Sequence, residues 1–343
     1  MKNKMLSYPL SFRSQLKLLA LTLLAACTQN KLAPYEFDQE ITFRTISTKS
    51  AEGYDTGNTF RSWAYMHSED YSSTASGQLY LGGTDGLVIS HQPDGNWKNS
   101  DNVYYWPKQN KLTFFAYALN SPTNTLASGT VQCDFNSGII VNNYNIQTNL
   151  NVDFLVADVA ANQRANADPA TYFHVGVPTL FKHKLSNIVF TIRTKQAYEG
   201  KTFSLESITL NGVAKDGGYI QNPLSPENEL WNAFTPTNIT YCNSSTPFSS
   251  TAVTPTALQS LYIPQLFSPF ETVQIIYKIM TDNGTGTPIE ETVTETKKLS
   301  EIFPENWKIG KKYTCNIIIS LDEIYWDPTV QDWTDEIMYG MQL

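Results

Sequence analysis

Apolar and polar side chains alternate with a period of two residues along much of this chain. The alternation is clearest in residues 188–192, 273–279 and 313–321. A period of two puts successive side chains on opposite faces of a β-strand. Turn sequences such as Asp94-Gly95 and Asp282-Asn283-Gly284 occur between strand-like stretches of the chain. No stretch sustains an apolar period of 3.6 residues. The pattern predicts an all-β fold built from antiparallel sandwiches.

Two shorter stretches make this prediction more specific. Residues 112–119 are nearly all apolar, which is typical of a central strand covered on both faces. Asn211-Gly212 follows the strand-like residues 207–210 and predicts a hairpin turn. Cys315 lies within an alternating run, so we expect it to act as a small core residue.

The N-terminus resembles an export signal. Basic residues precede a short apolar run that begins at Leu18 and ends with Ala25-Ala26-Cys27. This run is far shorter than the ~20 residues that a membrane-spanning helix needs. We therefore expect residues 1–26 to be a lipoprotein signal peptide and Cys27 to carry the acyl chains (palmitate among them). Two or three acyl chains anchor a protein stably, which predicts attachment to the outer membrane at the cell surface.

The length and charge of the remaining chain limit its organisation and partners. Removal of residues 1–26 from the 343-residue chain leaves 317 residues, enough for two domains. A polar loop at residues 160–170 precedes a new series of strands, so we expect an N-terminal domain at 27–176 and a C-terminal domain at 177–343. The net charge is −8 and no long basic stretch occurs, which argues against a nucleic-acid partner.

The sequence lacks the usual signatures of an active site or a metal site. The three cysteines after Cys27 are odd in number, so no disulfide framework is implied, and the pairing of Cys133 with Cys242 is left open. No HExxH or CxxC motif is present, and His183 between two lysines is typical of a structural or surface residue rather than a metal ligand. We predict no catalytic residue, no metal ligand and no cofactor.

Five phrases together resemble the fimbrillin family, the lipoprotein subunits of type V pili and their accessory proteins. They occur in the family's order and cover most of the mature chain. They are Ile41-Thr42-Phe43-Arg44; Tyr105-Trp106-Pro107 with Leu112-Thr113-Phe114-Phe115-Ala116-Tyr117; Phe181-Lys182-His183-Lys184-Leu185-Ser186-Asn187-Ile188; Leu261-Tyr262-Ile263-Pro264-Gln265; and Trp307, Gly310-Lys311, Tyr313 with Val330-Gln331-Asp332-Trp333.

The resemblance implies a fold and a mode of assembly. The fold would be two tandem transthyretin-like antiparallel β-sandwich domains. In fimbrillins an outer-surface protease cuts after a basic residue and frees the first strand, and a strand from the C-terminal region of a neighbour replaces it. The partners would be other pilus subunits, bound by β-strand addition, and a host or bacterial surface receptor. The sequence leaves open whether the subunit is a stalk, a tip or an anchor.

These implications fall on particular residues here. The candidate first strand is residues 35–43, and the processing candidates are Arg44, then Lys49, then Arg61. If the lipid is retained, the protein would be an anchor or accessory subunit. Residues 334–343 are the candidate donor, because Ile337, Tyr339 and Met341 alternate as a groove-filling strand requires; an ordinary last strand is the alternative.

A second function is compatible with the sequence. A surface glycan-binding lipoprotein would use exposed aromatic side chains, and Trp97, Trp231 and Trp326 lie near predicted turns. Core packing explains most tryptophans more simply, so we expect these three to be core residues.

Overall fold

The all-β prediction is confirmed by a computed structural model of the protein. The structure describes residues 39–46, 56–119, 124–165, 176–233 and 235–333. The tandem transthyretin-like arrangement stays a prediction. Cys27, residues 35–38 of the candidate first strand, Lys49 and the candidate donor at 334–343 lie outside the described residues.

The described strands are short and number twenty-two. They are β1 (Phe43–Ile46), β2 (Thr59–His67), β3 (Gln78–Leu81), β4 (Leu87–His91), β5 (Trp97–Lys98), β6 (Lys111–Leu119), β7 (Thr130–Asp134), β8 (Gly138–Asn145), β9 (Phe154–Ala157), β10 (Ala160–Gln163), β11 (Val177–His183), β12 (Ser186–Thr194), β13 (Lys201–Ala214), β14 (Asp216–Ile220), β15 (Leu230–Ala233), β16 (Pro236–Cys242), β17 (Thr246–Phe248), β18 (Leu261–Tyr262), β19 (Thr272–Thr281), β20 (Ile289–Lys298), β21 (Lys311–Ile319) and β22 (Ile324–Asp332). Two short helical segments accompany them, a 3₁₀ turn at Pro226–Asn228 and α1 at Leu299–Ile302.

The N-terminal strands form a sheet that closes on itself. Its order is β10-β6-β9-β11-β1-β5-β4-β2-β3, and β6 also pairs with β2. The pairing of β6 with β2 completes a ring of strands through β9, β11, β1, β5 and β4. We call this ring the closed sheet. A closed sheet has no free edge within the ring, so each of its strands is paired on both sides.

Strand β6 explains how one apolar run serves two cores. Leu112, Phe114 and Ala116 face the interior of the closed sheet, where they join its core. Phe115 and Tyr117 face the other way and belong to a second, larger core. The prediction that residues 112–119 form a strand covered on both faces is confirmed.

Three further sheets surround the larger core. One has the order β15-β14-β8-β7, one β18-β12-β21-β22 and one β16-β13-β19-β20, with β17 paired to β13. The buried residues at alternate positions of β12, β19 and β21 are those that the period of two predicts. Cys315 is fully buried among them, as expected.

One predicted hairpin is wrong and another is confirmed. Asn211 and Gly212 lie inside the continuous strand β13, which pairs with β19 from Lys201 to Asn211. The register with β16 shifts between Leu210 and Val213, and Gly212 has a φ of 76°, so the sequence forms a bulge rather than a turn. Asp282-Asn283-Gly284 does connect β19 to β20 as a hairpin.

The strand pairings cross the predicted division at residue 176. Strand β11 begins at Val177 yet pairs with β1 and β9 in the closed sheet. Strand β14 pairs with β8, which precedes the division. The division into domains at 27–176 and 177–343 stays a prediction, and β11 is the strand that joins the two sides of it.

The shared position of β6 leads to a stability prediction. Phe115 is fully buried in the larger core, whereas Phe270 is 81% exposed. We expect Phe115→Ala to lower the free energy of unfolding by about 3–5 kcal/mol, because it opens a cavity in a packed core. The matched Phe270→Ala should change it by less than about 0.5 kcal/mol. Urea denaturation measures both, and equal effects would contradict the assignment of Phe115 to the core.

Candidate functional site

The candidate site is the position that residues 39–46 occupy in the closed sheet. We call these residues the first segment and their surroundings the seat. On one side β1 runs parallel to β11, with Phe43 opposite Val177 and Ile46 opposite Leu180. On the other side Phe43 pairs with Trp97 of β5 in antiparallel orientation. The first segment therefore closes the ring between β11 and β5.

Backbone hydrogen bonds fix the first segment on both sides. The N–H of Ile41 donates to the carbonyl of Tyr104 at 2.7 Å, and the N–H of Trp106 donates to the carbonyl of Gln39 at 2.9 Å. On the opposite side the N–H of Val177 donates to the carbonyl of Thr42 at 2.8 Å. Residues 104–106 thus extend the β5 side of the seat toward the N-terminus of the first segment.

Gly176 permits the close approach of the first segment to β11. A Cβ atom at position 176 would lie 2.6 Å from the carbonyl carbon of Phe43 and 3.0 Å from the amide nitrogen of Arg44. Distances of this kind are far below van der Waals contact, and both atoms belong to the backbone, which cannot rotate away. The seat therefore requires glycine at this position whatever strand occupies it.

Two side chains of the first segment fill the interior of the closed sheet. Ile41 and Phe43 are both at most 5% exposed. The Phe43 ring makes edge contacts with Phe60 and Phe114, at centroid distances of 5.5 and 5.6 Å. Such edge contacts stabilise the packed rings beyond the effect of burying their apolar area. Withdrawal of the first segment would expose an apolar groove lined by these rings.

A charged pair lies at the edge of the seat. The Lys98 ammonium is 3.2 Å from Glu40 of the first segment and 2.9 Å from Asp94 of the preceding turn. The hydrogen bond to Asp94, followed by that to Glu40, raises the pKa of Lys98 above its ordinary value, while partial burial opposes this. Lys98 lowers the pKa of Asp94 in return. Lys98 is therefore charged at neutral pH and presents a cation to position 40.

The three processing candidates have different surroundings. Arg44 is exposed and lies within β1, opposite Pro178 of β11. Arg61 lies within β2, paired to Val88 on one side and Tyr117 on the other, and its guanidinium donates to the carbonyls of Asp85 and Gly86. Lys49 lies outside the described residues. The structure thus places Arg44, but not Arg61, at the edge of the seat.

Trp333, the last described residue, is fixed by packing and by a backbone hydrogen bond. The Trp333 ring stacks on the ring of His183, with centroids 3.5 Å apart and an interplanar angle of 9°. His183 Nδ1 is 2.7 Å from a carboxylate oxygen of Asp153, and both side chains are buried. The N–H of Trp333 donates to the carbonyl of Gly310 at 2.8 Å. These contacts agree with a structural role for His183, and they hold the residue that precedes the candidate donor.

The glycan platform considered for three tryptophans is wrong. Trp97 lies in the core of the closed sheet and Trp231 lies in the larger core, so the two belong to separate interiors. Trp326 alone is partly exposed. Because two of the three rings face packed cores, they cannot present a common stacking surface to a sugar.

The described residues carry no arrangement typical of metal binding or membrane insertion. Cys133, Cys242 and Cys315 are free thiols. Within the described ranges no group of three His, Cys, Asp or Glu side chains is placed to hold a metal ion. No helix in those same ranges is long and apolar enough to cross a membrane.

Sequence reasoning missed three parts of the seat. Gly176 follows a polar loop and gives no signal that a backbone passes beside it. Lys98 forms part of a two-residue strand, β5, too short to show any period. Tyr105-Trp106-Pro107 belongs to a phrase that resembles the family, but Tyr104 does not. The pairing of Tyr104 and Trp106 with Ile41 and Gln39 joins residues more than sixty positions apart, which no local pattern reveals.

A closed sheet with three further sheets around an adjoining core defines an all-β protein of the β-sandwich kind. The model of a family described as fimbrillin-like matches residues 48–333. Because this match covers most of the chain, the chain belongs to the fimbrillin-like family. This family comprises adhesion-type proteins of fimbriae rather than enzymes, and it implies a location at the cell surface and assembly with other pilus subunits.

Solved structures from Bacteroides share the fold. A fimbrial protein from Bacteroides vulgatus ATCC 8482 superposes with a TM-score of 0.61 at 16% identity, over 87% of this chain and 100% of that one. A candidate cell adhesion protein from Bacteroides uniformis ATCC 8492 gives a TM-score of 0.51 at 13% identity, over 86% of this chain and 98% of that one. At such low identity the similarity shows the fold alone. No curated protein matches the chain in sequence.

The contact at Gly176 leads to a local prediction. We expect Gly176→Ala to displace the first segment, because the new Cβ overlaps the backbone of Phe43. Hydrogen exchange at the amide of Ile41 should then become at least about tenfold faster, the effect of roughly 1.4 kcal/mol on local opening.

The control is Gly286→Ala, in the turn between β19 and β20, where a Cβ meets nothing within 4 Å. Its positive φ makes it cost global stability without touching the seat. Unchanged exchange at Ile41 in Gly176→Ala would show that the first segment does not depend on this contact.

Proposed function

We propose that the protein is a structural, accessory or anchor subunit of a cell-surface fimbria. In this proposal it is exported as a lipoprotein acylated at Cys27, is held at the outer membrane, and assembles by exchanging its first segment for a strand of another subunit. The assembled fimbria contributes to adhesion to a host or bacterial surface receptor. The proposal makes the protein a non-enzymatic component that needs no cofactor.

The observation that carries this proposal is the position of the first segment in the closed sheet. It is the N-terminal piece of the described fold, and it completes a ring that is otherwise formed by later strands. Its removal would leave β11 and the β5 side with free N–H and C=O groups facing each other across a gap. Facing free edges are a ready template for an extended strand from another chain.

The side chains make an empty seat unfavourable. Burial of a large apolar side chain contributes about 1.5–3 kcal/mol, and Ile41 and Phe43 both fill the interior of the closed sheet. Backbone groups left without partners in a buried groove add a further cost. A strand that restores the apolar burial and the backbone hydrogen bonds will therefore stay bound. Such retention suits a polymer that must persist outside the cell.

Processing in the region of Arg44 and Lys49 would couple release of the lipid to activation of the seat. A cut after Arg44 would detach everything before Thr45, including Cys27. Thr45 and Ile46 would become the new N-terminus, and an incoming strand would take their places on β11. A cut after Lys49 would detach the whole first segment. A cut after Arg61, the third candidate, would require β2 to open, because β2 is paired on both sides. A subunit that escapes processing would keep its lipid and its first segment and would serve as the anchor.

The N-terminal residue of the polymerised protein tests the processing step. We expect subunits purified from polymers to begin at Thr45, whereas unassembled precursor begins at acylated Cys27. Arg44→Ala removes the first cleavage residue, while Lys49 remains. Either processing and polymer yield should fall at least about tenfold, or cleavage should move to Lys49, so that the polymerised subunits begin at Ser50.

The control for this measurement is Arg193→Ala, which removes an arginine from β12, far from the first segment in sequence. Its polymers should begin at the same residue as those of the natural chain. Intact mass spectrometry and Edman degradation report the start. Polymers composed only of subunits that begin at acylated Cys27 would overturn processing as the activating step.

The C-terminal segment provides a separate test of assembly. We expect deletion of residues 335–343 to leave a folded monomer, because Trp333 and its packing on His183 are retained. The truncated protein should form no polymers on denaturant-free gels or in electron micrographs. Polymer ladders of normal length from the truncated protein would reject the donor role.

A further inference from the structure

The seat sets four requirements on consecutive residues of any strand that fills it. Position 40 faces the Lys98 ammonium and calls for an acid. Positions 41 and 43 point into the closed sheet and call for large apolar side chains, with an aromatic ring at 43 between Phe60 and Phe114. Position 42 is partly exposed and accepts many residues. The requirement is therefore acid, aliphatic, any residue, aromatic.

Three stretches of this chain meet the requirement with Glu followed by Ile. They are residues 40–43, 323–326 and 336–339, which read Glu-Ile-Thr-Phe, Glu-Ile-Tyr-Trp and Glu-Ile-Met-Tyr. The second stretch begins β22, where Ile324 to Trp326 pair with β21 in their own sheet. It is therefore committed to the fold of its own molecule. The third follows Trp333 and lies outside the described residues.

We propose that Lys98 determines the register of strand exchange, and that the seat accepts residues 336–339 of a second copy of this chain in the register of residues 40–43. This inference rests on the proposed function, which supplies the donor segment, and adds the alignment of that segment in the seat. Ile337 then takes the place of Ile41, Tyr339 takes the place of Phe43, and Glu336 meets Lys98.

Lys98 discriminates between two registers that apolar burial alone would permit. Residues 334–343 carry apolar side chains at 337, 339 and 341, so both the pair 337 and 339 and the pair 339 and 341 could fill the interior. The first register places Glu336 beside Lys98. The second, displaced by two residues, places the Met338 thioether there, so Lys98 keeps Asp94 but loses the carboxylate at position 40.

The proposed register also has one mismatch that makes it testable. It brings Asp335 to the position of Gln39, which is 8% exposed. Burial of a carboxylate without a partner costs free energy, whereas the Gln39 amide already occupies this position. In the displaced register Asp335 would lie two positions further out, before the first described residue. Asp335→Gln should therefore tighten assembly only in the proposed register.

The experiment measures polymer formation by the full chain with reversed charges. All variants carry Asp94→Asn, which keeps the turn hydrogen bond to the N–H of Asn96 but removes the second carboxylate near Lys98. Glu40→Lys with Lys98→Glu reverses the pair while keeping the first segment in its own seat. In this background natural Glu336 faces the carboxylate introduced at position 98, and the polymer yield should fall about two- to fivefold, the range for a partly exposed ion pair.

Addition of Glu336→Lys to the reversed background should restore the yield, whereas Glu336→Lys alone on the natural pair should lower it. Asp335→Gln on the natural pair should raise it. If the natural chain forms no polymers, the proposed function and this inference fail together. If it forms polymers but Glu336→Lys does not restore the reversed variant, strand exchange stands and the proposed register is overturned.

A disulfide reads the register directly. Position 45 faces Thr179 in the parallel ladder, and Met341 takes position 45 in the proposed register. With Cys133→Ser throughout, Thr179→Cys and Met341→Cys should give an intermolecular disulfide in polymers, because paired strands bring Cα atoms within disulfide range. Thr179→Cys with Leu343→Cys should not. The reverse result would establish the displaced register, and intramolecular disulfides would show that the C-terminal segment fills its own seat.

Discussion

The parallel pairing of β1 with β11 is the interaction on which the architecture depends. It joins the start of the described chain to the strand that leads into the C-terminal sheets, and it closes the ring of strands that begins with β2. The contact is made largely by backbone groups and by two inward side chains, Ile41 and Phe43. Backbone recognition depends little on sequence, so the same seat can accept a different chain if its pattern of side chains matches.

The rest of the structure makes the seat rigid while the first segment remains separable. Strands β2, β6 and β9 each have one face in the closed sheet and the other in the larger core. A packed core on both faces limits movement of these strands, so removal of the first segment opens a groove between fixed walls. In the proposed exchange, Gly176 would allow the backbone of the incoming strand to approach, and Lys98 would act on that strand by its charge.

Local patterns predicted the fold well and the site only in part. Alternation identified the buried faces of β12, β19 and β21, and the unbroken apolar run identified β6. Both signals are local, because successive side chains of a strand lie on opposite faces. The hairpin predicted at Asn211-Gly212 was wrong, because a bulge and a hairpin turn both use a residue with positive φ. Only the pairing of the neighbouring strands distinguishes the two. The seat was missed where its contacts join distant parts of the chain, as at Gly176, Lys98 and Tyr104.

In the proposed assembly, one subunit's closed sheet is completed by a strand of another. The structure of the native polymer, determined by electron cryomicroscopy, tests this directly. We expect the seat between β11 and β5 to hold a strand that can be traced to the neighbouring subunit. A polymer in which every seat holds residues 39–46 of its own subunit would contradict it.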